Sequence, residues 1–282
     1  MIISGKAKLA GVIGWPVDHS RSPRLHGYWL DHYGIDGAYV PLAVAPDDMQ
    51  AALRALPLLG FAGVNVTIPH KQAALRLVDD IDPVAARIGA VNTITVGRDG
   101  RLLGANSDGF GFIENLRAGA PDWRAEAGPS VIIGAGGAAR AVIVALLDAG
   151  AGELRIVNRT RARAEALAEL GGGHCRVFDW VDRELALDGA ALLVNTTNCG
   201  MAGQPPLDLS PSPLAPGAVV NDIVYVPLKT DLLTHAAAEG FTAVDGLGML
   251  LHQARPGFEA WFGRRPAVTD TLRAFVLSDL VE

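Results

Sequence analysis

The chain has 282 residues, 50% of them hydrophobic, and a formal net charge of −6. That leaves room for one large or two ordinary domains with ample core, and the lack of a basic stripe argues against nucleic acid as a partner. Two cysteines, Cys175 and Cys199, are too few for a disulfide framework, and the 7 histidines show no metal-ligand spacing, so no metal site is expected. No apolar stretch reaches the ~20 residues that cross a bilayer, and the first residues lack a leader cleavage pattern, so the expectation is a cytoplasmic protein with no membrane contact.

In the N-terminal part, 9–13, 39–44, 63–66 and 91–96 read as strands, with helices expected at 22–33, 46–56 and 71–78. Ser22-Pro23 reads as a helix start, the serine as cap and the proline in the first turn. Pro46-Asp47-Asp48 is a second start, with acids at the positive end of the helix. A helical stretch at 108–118 is followed by a Gly-, Ala- and Pro-rich segment, 119–130, that reads as a boundary. Beyond it, strands are expected at 131–133, 154–157, 191–195, 218–224 and 241–244, with helices at 137–147, 161–170, 246–262 and 269–280. The alternation predicts an α/β fold of two units, each with parallel strands and crossover helices.

The strongest local signal is Gly134-Ala135-Gly136-Gly137-Ala138-Ala139, where an apolar strand runs directly into a helix. It fits the dinucleotide fingerprint: Gly134 for the tight turn, Gly136 for approach of a diphosphate, and a small Ala139 for close helix–strand packing. The helix start then offers unpaired N–H groups to phosphate. An NAD site places an acid at the end of the next strand, but here that strand ends in Asn158-Arg159-Thr160-Arg161-Ala162-Arg163. Arginines suit the 2′-phosphate of NADP, and Thr160 can add a hydroxyl and cap the following helix.

Two polar residues stand out for chemistry. Lys71 follows Asn65-Val66-Thr67-Ile68-Pro69-His70 at a helix start, where a cation opposes the helix dipole. Asp108 lies in Ala105-Asn106-Ser107-Asp108-Gly109, where a strand gives way to a helix. Taken alone, Asp108 is also a normal N-cap and Lys71 a normal surface lysine, and spacing does not show that they meet. His19, His26 and His32 read as structural or exposed. Hydrolase and metalloprotease signatures, G-x-S-x-G and H-E-x-x-H, are missing.

Seven motifs in order resemble the shikimate dehydrogenase family over nearly the whole chain. They are the segment from Gly14 to Pro23, Asn65 to Lys71, Ala90-Val91-Asn92-Thr93, Asn106-Ser107-Asp108-Gly109, the Gly134 turn through Arg140, Asn158-Arg159-Thr160, and Asp245-Gly246-Leu247-Gly248-Met249-Leu250 with Gln253. The resemblance implies a substrate-binding, mostly parallel α/β domain over 1–108, completed by helices in 246–282, and a Rossmann domain over 109–245 that binds NADP. It implies reversible reduction of 3-dehydroshikimate to shikimate by NADPH in aromatic amino-acid biosynthesis. Lys71 and Asp108 would be the catalytic pair. Ser20 and Ser22 would hold the substrate carboxylate, while Thr67, Asn92, Asp108 and Gln253 bind ring hydroxyls and Tyr225 lines the cleft. Gly134 to Ala139, Asn158, Arg159, Thr160, Arg163, Gly246 and Met249 would serve the cofactor.

Two positions depart from the family pattern. Asn195-Thr196-Thr197-Asn198-Cys199 stands where Asn-Ala-Thr-Ser is usual, which bears on cofactor affinity, and Ser107 replaces a threonine, a change expected to be harmless. Cys199 reads as inert, since nothing beside it in sequence would activate a thiolate. The alternatives within the fold are a quinate/shikimate dehydrogenase using NAD, an aminoshikimate enzyme, and a non-catalytic NADP-binding sensor. The expected assembly is a monomer or homodimer.

Overall fold

A computed structural model describes residues 2–278, and the predicted helix end at 279–280 lies outside them. The chain forms two units, one running to Ser107 and resumed at Gln253, the other Asp108–His252.

The first unit is built on β1 (Lys8–Gly14), α1 (Ser22–His32), β2 (Gly37–Ala43), α2 (Met49–Ala55), β3 (Phe61–Val66), α3 (Lys71–Leu77), β4 (Asp80–Ile81), α4 (Pro83–Ile88), β5 (Thr93–Val96) and β6 (Leu102–Ala105). Its sheet order is β2-β1-β3-β5-β6-β4. The pairs β1–β2, β1–β3 and β4–β6 are parallel, whereas β5 runs antiparallel to β3 and β6. That hairpin was not anticipated: its turn, Gly97 to Arg101, closes through Gly97 N–H to the Arg101 carbonyl at 2.8 Å. Ile13, Leu53, Val64, Val91, Ile94 and Leu102 fill the core beside the sheet.

In the second unit, α5 (Asp108–Gly119) leads to β7 (Ser130–Ile133), α6 (Gly137–Asp148), β8 (Leu154–Val157), α7 (Arg161–Ala168), β9 (Cys175–Phe178), α8 (Arg183–Leu187), β10 (Leu192–Asn195), β11 (Val219–Asp222), α9 (Asp231–Ala238) and β12 (Thr242–Val244). All six strands are parallel, in the order β12-β11-β10-β7-β8-β9. The winding reverses between β7 and β10, the crevice where doubly wound sheets take their ligands.

The helix α10 (Leu247–Phe262) spans the return from the second unit to the first, and α11 (Asp270–Leu277) follows it. The division therefore falls inside a helix, seven residues beyond the expected change at 245–246, because no loop interrupts α10 there.

Three expectations need correction. Segment 119–130 is a loop inside the second unit and not a boundary, because Phe112 and Leu116 of α5 are buried with α6 and β8 residues in one core. Ser22 is the first helical residue of α1, not its cap; Arg21 holds the cap position, and its side chain makes no capping bond. Thr160 does occupy the cap position of α7, but its hydroxyl makes no capping bond. Residues 46–48 form a 3₁₀ turn ahead of α2. Among the described residues, no helix is long and apolar enough to cross a membrane, and no cluster of side chains could hold a metal.

Candidate active site

In the first unit, the chemistry-bearing residues gather at the carboxyl ends of β1, β3 and β6 and the amino end of β5. The turns after β1 and β3 are tied together: Thr67 N–H donates to the Ile13 carbonyl at 2.9 Å, and Trp15 N–H to that of Ile68 at 3.1 Å. Gly14 is needed for this approach, since a Cβ there would lie 2.6 Å from the Thr67 methyl. His70, almost fully buried, contacts the Val44 carbonyl through Nε2 at 2.8 Å, so that nitrogen carries the proton. Lys71 follows as the first residue of α3, half-buried, with its own carbonyl accepting from Val91 N–H at 2.9 Å. The lysine backbone is thus bolted to the strand that delivers Asn92.

Asn92 is the centre of a buried polar cluster. Its Oδ1 accepts from Ser107 N–H at 2.9 Å, from Thr93 Oγ1 at 2.9 Å and from Ser107 Oγ at 3.2 Å. Its Nδ2 lies 3.5 Å from Gln253 Oε1 on α10. Asn65 backs the cluster, donating to the Asn92 carbonyl at 3.1 Å and to Thr93 Oγ1 at 3.2 Å. Each such bond contributes about 0.5–1.5 kcal/mol net, and leaving one of these buried groups unpaired costs more. The side chain of Asn92 is therefore fixed before any ligand arrives. Ser20 and Ser22 lie close together, with Ser22 N–H 3.4 Å from Ser20 Oγ. Asn65, Thr93 and Ser107 lie inside the sequence motifs without a site role assigned there, and Tyr39 lies outside them. Their polar side chains sit in strand-like or ordinary turn contexts, and only the register of the sheet brings them together.

His26 lies behind this face, fully buried and stacked on Tyr39 with ring centroids 3.9 Å apart. Burial lowers its pKa to about 3, and neither ring nitrogen has a hydrogen-bond partner.

In the second unit, Asp108 opens α5 and is buried. Lys71 and Asp108 thus belong to different units. The glycine turn separates two kinds of requirement. Gly134 has φ +112°, and a Cβ on it would sit 2.6 Å from Thr196 Oγ1, so the fold itself demands glycine there. Gly136 and Gly137 are exposed, with no protein atom within 4 Å of a Cβ built on either. Nothing in the chain requires them to be small, and they lie at the start of α6, which no side chain caps. A turn of this kind leaves room for an anion to approach the backbone. Ala139 is fully buried in the core under the turn.

The arginine cluster also divides. Arg161 is bound to Glu165 at 2.8 Å and Asp179 at 2.8 Å. Arg159 and Arg163 are exposed, and Asn158 Nδ2 donates to the Thr160 carbonyl at 2.9 Å, holding the turn that presents them.

Across the switch point, Thr196 Oγ1 donates to the Ile133 carbonyl at 2.7 Å, pinning the β10 loop to the end of β7. Asn195 Oδ1 accepts from Thr197 N–H at 3.0 Å, and Asn195 Nδ2 donates to Asp222 at 3.0 Å. Asp222 is fully buried and also accepts from Thr230 and from Val224 N–H; burial nevertheless raises its pKa above the usual carboxylate range. This network holds the segment that carries Tyr225, half-buried after β11 in the second unit. Gly246 packs against the Ile223 carbonyl, and Met249 against the core of the same unit. Cys175 and Cys199 are both unpaired.

Family models match three stretches: a shikimate dehydrogenase substrate binding domain at residues 12–94, a shikimate / quinate 5-dehydrogenase at 124–199 and a shikimate 5'-dehydrogenase C-terminal domain at 246–274. The chain is 64% identical over 276 residues to the shikimate dehydrogenase (NADP(+)) of Paramagnetospirillum magneticum, covering 98% of this chain and 100% of the relative. Among solved structures it is similar to shikimate 5-dehydrogenase from Thermus thermophilus in complex with NADP(H) and shikimate, with a TM-score of 0.86, 36% identity, and coverage of 96% and 99%. It is also similar to quinate dehydrogenase from Corynebacterium glutamicum in complex with NAD, with a TM-score of 0.89, 33% identity, and coverage of 96% and 99%.

Proposed function

The chain belongs to the shikimate dehydrogenase family, and from that premise we propose how its residues divide the work of its reaction. The protein is an NADP-dependent oxidoreductase that reduces 3-dehydroshikimate to shikimate, reversibly, in aromatic amino-acid biosynthesis. Neither the NAD-linked quinate reading nor a non-catalytic sensor is favoured beside relatives of this identity.

NADPH supplies the hydride when bound. The turn from Gly134 to Ala139 holds its diphosphate, and Asn158, Arg159, Thr160 and Arg163 hold the 2′-phosphate. Gly246 and Met249 complete the cofactor side. The first unit binds the substrate, with the carboxylate on Ser20 and Ser22 and the ring hydroxyls on Thr67, Asn92 and Gln253; Tyr225 of the second unit is a further substrate residue. Lys71 and Asp108 are the catalytic pair. Hydride addition builds negative charge on the ketone oxygen; the Lys71 ammonium stabilises that charge and donates the proton. The Asp108 carboxylate accepts a hydrogen bond from a substrate hydroxyl. Unpaired thiols suit a cytoplasmic setting, and the protein acts on a small molecule, without nucleic acid, as a monomer or homodimer.

One observation carries the substrate assignment. Asn92 is buried and pre-set by Ser107 and Thr93 within reach of Gln253, a polar surface built for hydroxyl groups. The test is a spectrophotometric assay crossing shikimate and quinate with NADP and NAD. Activity concentrated on shikimate with NADP is expected; preference for quinate or for NAD would overturn the assignment.

A further inference from the structure

The roles above leave one junction of the first unit unassigned. Between Gly89, the left-handed residue that ends α4, and the start of β5, residues 90–92 belong to no helix or strand, yet all three are buried. A buried irregular segment has to find partners for its backbone groups outside any ladder. Val91 N–H donates to the Lys71 carbonyl at 2.9 Å, and Asn92 N–H to that of Ala105 at 3.0 Å. The Asn92 carbonyl accepts from Val66 N–H at 2.8 Å and from Asn65 Nδ2 at 3.1 Å. These three residues therefore join the start of α3 to the ends of β3 and β6.

The paired register of β5 and β6 ends at Thr93 and Ala105. Beyond Ala105, two side-chain amides replace backbone groups, one from each side. Asn92 Oδ1 accepts from Ser107 N–H at 2.9 Å, and Asn106 Nδ2 donates to the Ala90 carbonyl at 2.9 Å. The partners fix how both amides are turned. A backbone N–H can only donate and a carbonyl can only accept, so Asn92 offers its oxygen and Asn106 its nitrogen to the opposite chain.

Asn106 and Ser107 are the whole link between β6 and α5. The reciprocal pair of asparagines holds that link at both of its residues. Every atom of the clamp belongs to the first unit, and Asp108 is the next residue along the chain. Asn92 is assigned to the substrate, so replacing it would mix binding with positioning. Asn106 has no such assignment, and its bond to Ala90 can be removed by itself.

We propose that Asn106 is a positioning residue for the reaction, fixing through its bond to the Ala90 carbonyl the peptide that leads into Asp108. The proposal rests on the assignment of Asp108 to the reaction, and the experiment separates the two. Steady-state kinetics are measured for Asn106→Ala, Asp108→Asn and the double variant, with thermal melts to verify folding. Asn106→Ala lowers kcat about ten-fold or more, short of the ~100-fold cost of misplacing a reacting group by about 1 Å, while the KM for NADP stays within about two-fold. In the Asp108→Asn background the same substitution lowers kcat by less than about two-fold. A general weakening of the fold would instead lower kcat equally in both backgrounds. That equal fall, or an Asn106→Ala rate near wild type, overturns the proposal and leaves Asp108 in the mechanism. An Asp108→Asn variant near the wild-type rate overturns both. Should Asn106→Ala not fold, Asn106→Asp keeps the shape of the side chain and removes its donor. The same fall is then expected in the wild-type background alone, and an unchanged rate, or a fall in both backgrounds, overturns the proposal.

Discussion

The indole N–H of Trp261 donates to the carbonyl oxygen of Ile94 at 3.1 Å, across 167 residues of chain. It fastens α10 to β5 two residues from Asn92, and the same helix carries Gln253 to the other side of that asparagine. Replacing Trp261 by Phe keeps most of the apolar volume but strands a buried carbonyl. A loss of about 1–3 kcal/mol is expected in urea unfolding, with a larger rise in the KM for shikimate than for NADP. Equal rises for both would mean that the helix does not position the substrate residues.

The Lys71 carbonyl is held by Val91 N–H, a bond that the side chain does not make, so Lys71→Ala should preserve the fold. Turnover should drop by at least about 100-fold, the scale of a lost proton donor, with NADP affinity unchanged by fluorescence titration. A variant near the wild-type rate removes Lys71 from the mechanism.

The two glycines of the cofactor turn should respond oppositely. Gly134→Ala forces a side chain into positive φ against Thr196, and a stability loss of about 2 kcal/mol or more is expected. Gly136→Ala meets no protein atom, so its melting behaviour should change by less than about 1 kcal/mol. Its KM for NADP should still rise at least about ten-fold, because the added methyl lies where the diphosphate must approach. Unchanged NADP binding in Gly136→Ala would remove the diphosphate from this turn.

Arginines two residues apart should differ in the same manner. Arg159→Ala is expected to weaken NADP about ten-fold or more while leaving NAD nearly unaffected, as loss of a charge-assisted bond to the 2′-phosphate requires. Arg161, engaged by Glu165 and Asp179, should alter neither ratio when replaced. Measured KM values for both cofactors with each variant decide this, and equal losses for NADP and NAD in Arg159→Ala would count against the phosphate role.

His26 makes stability depend on acid. Its pKa is about 3 in the fold against 6.5 for an ordinary histidine, because burial disfavours the charged ring. Below 6.5 the unfolded chain therefore takes up a proton that the native protein refuses. The contribution is fully present above that pH and is lost as the pH falls toward about 3, at about 1.4 kcal/mol per pH unit. His26→Phe, which can keep the stack on Tyr39, should flatten this dependence. Urea melts from about pH 6 to about pH 4 check it; parallel slopes for variant and wild type would show that His26 takes up its proton in the fold.

What the sequence determined by itself was local. The strand–glycine–helix passage at Gly134, the arginines after β8 and the ordered motifs are each contiguous, so residues that act together are also neighbours in the chain. From them the two α/β units, the cofactor and the reaction were readable. The tertiary structure decided what depends on register and burial. It engaged Arg161 with Glu165 and Asp179 and left Arg159 and Arg163 exposed, because only folding brings Asp179 to Arg161. It placed α5 in the second core, made β5–β6 a hairpin, and joined Tyr39, Asn65 and Asn92 through separate elements. No periodicity marks such a cluster, because a strand's pattern tells which residues face inward and not which partners the neighbouring strands will bring.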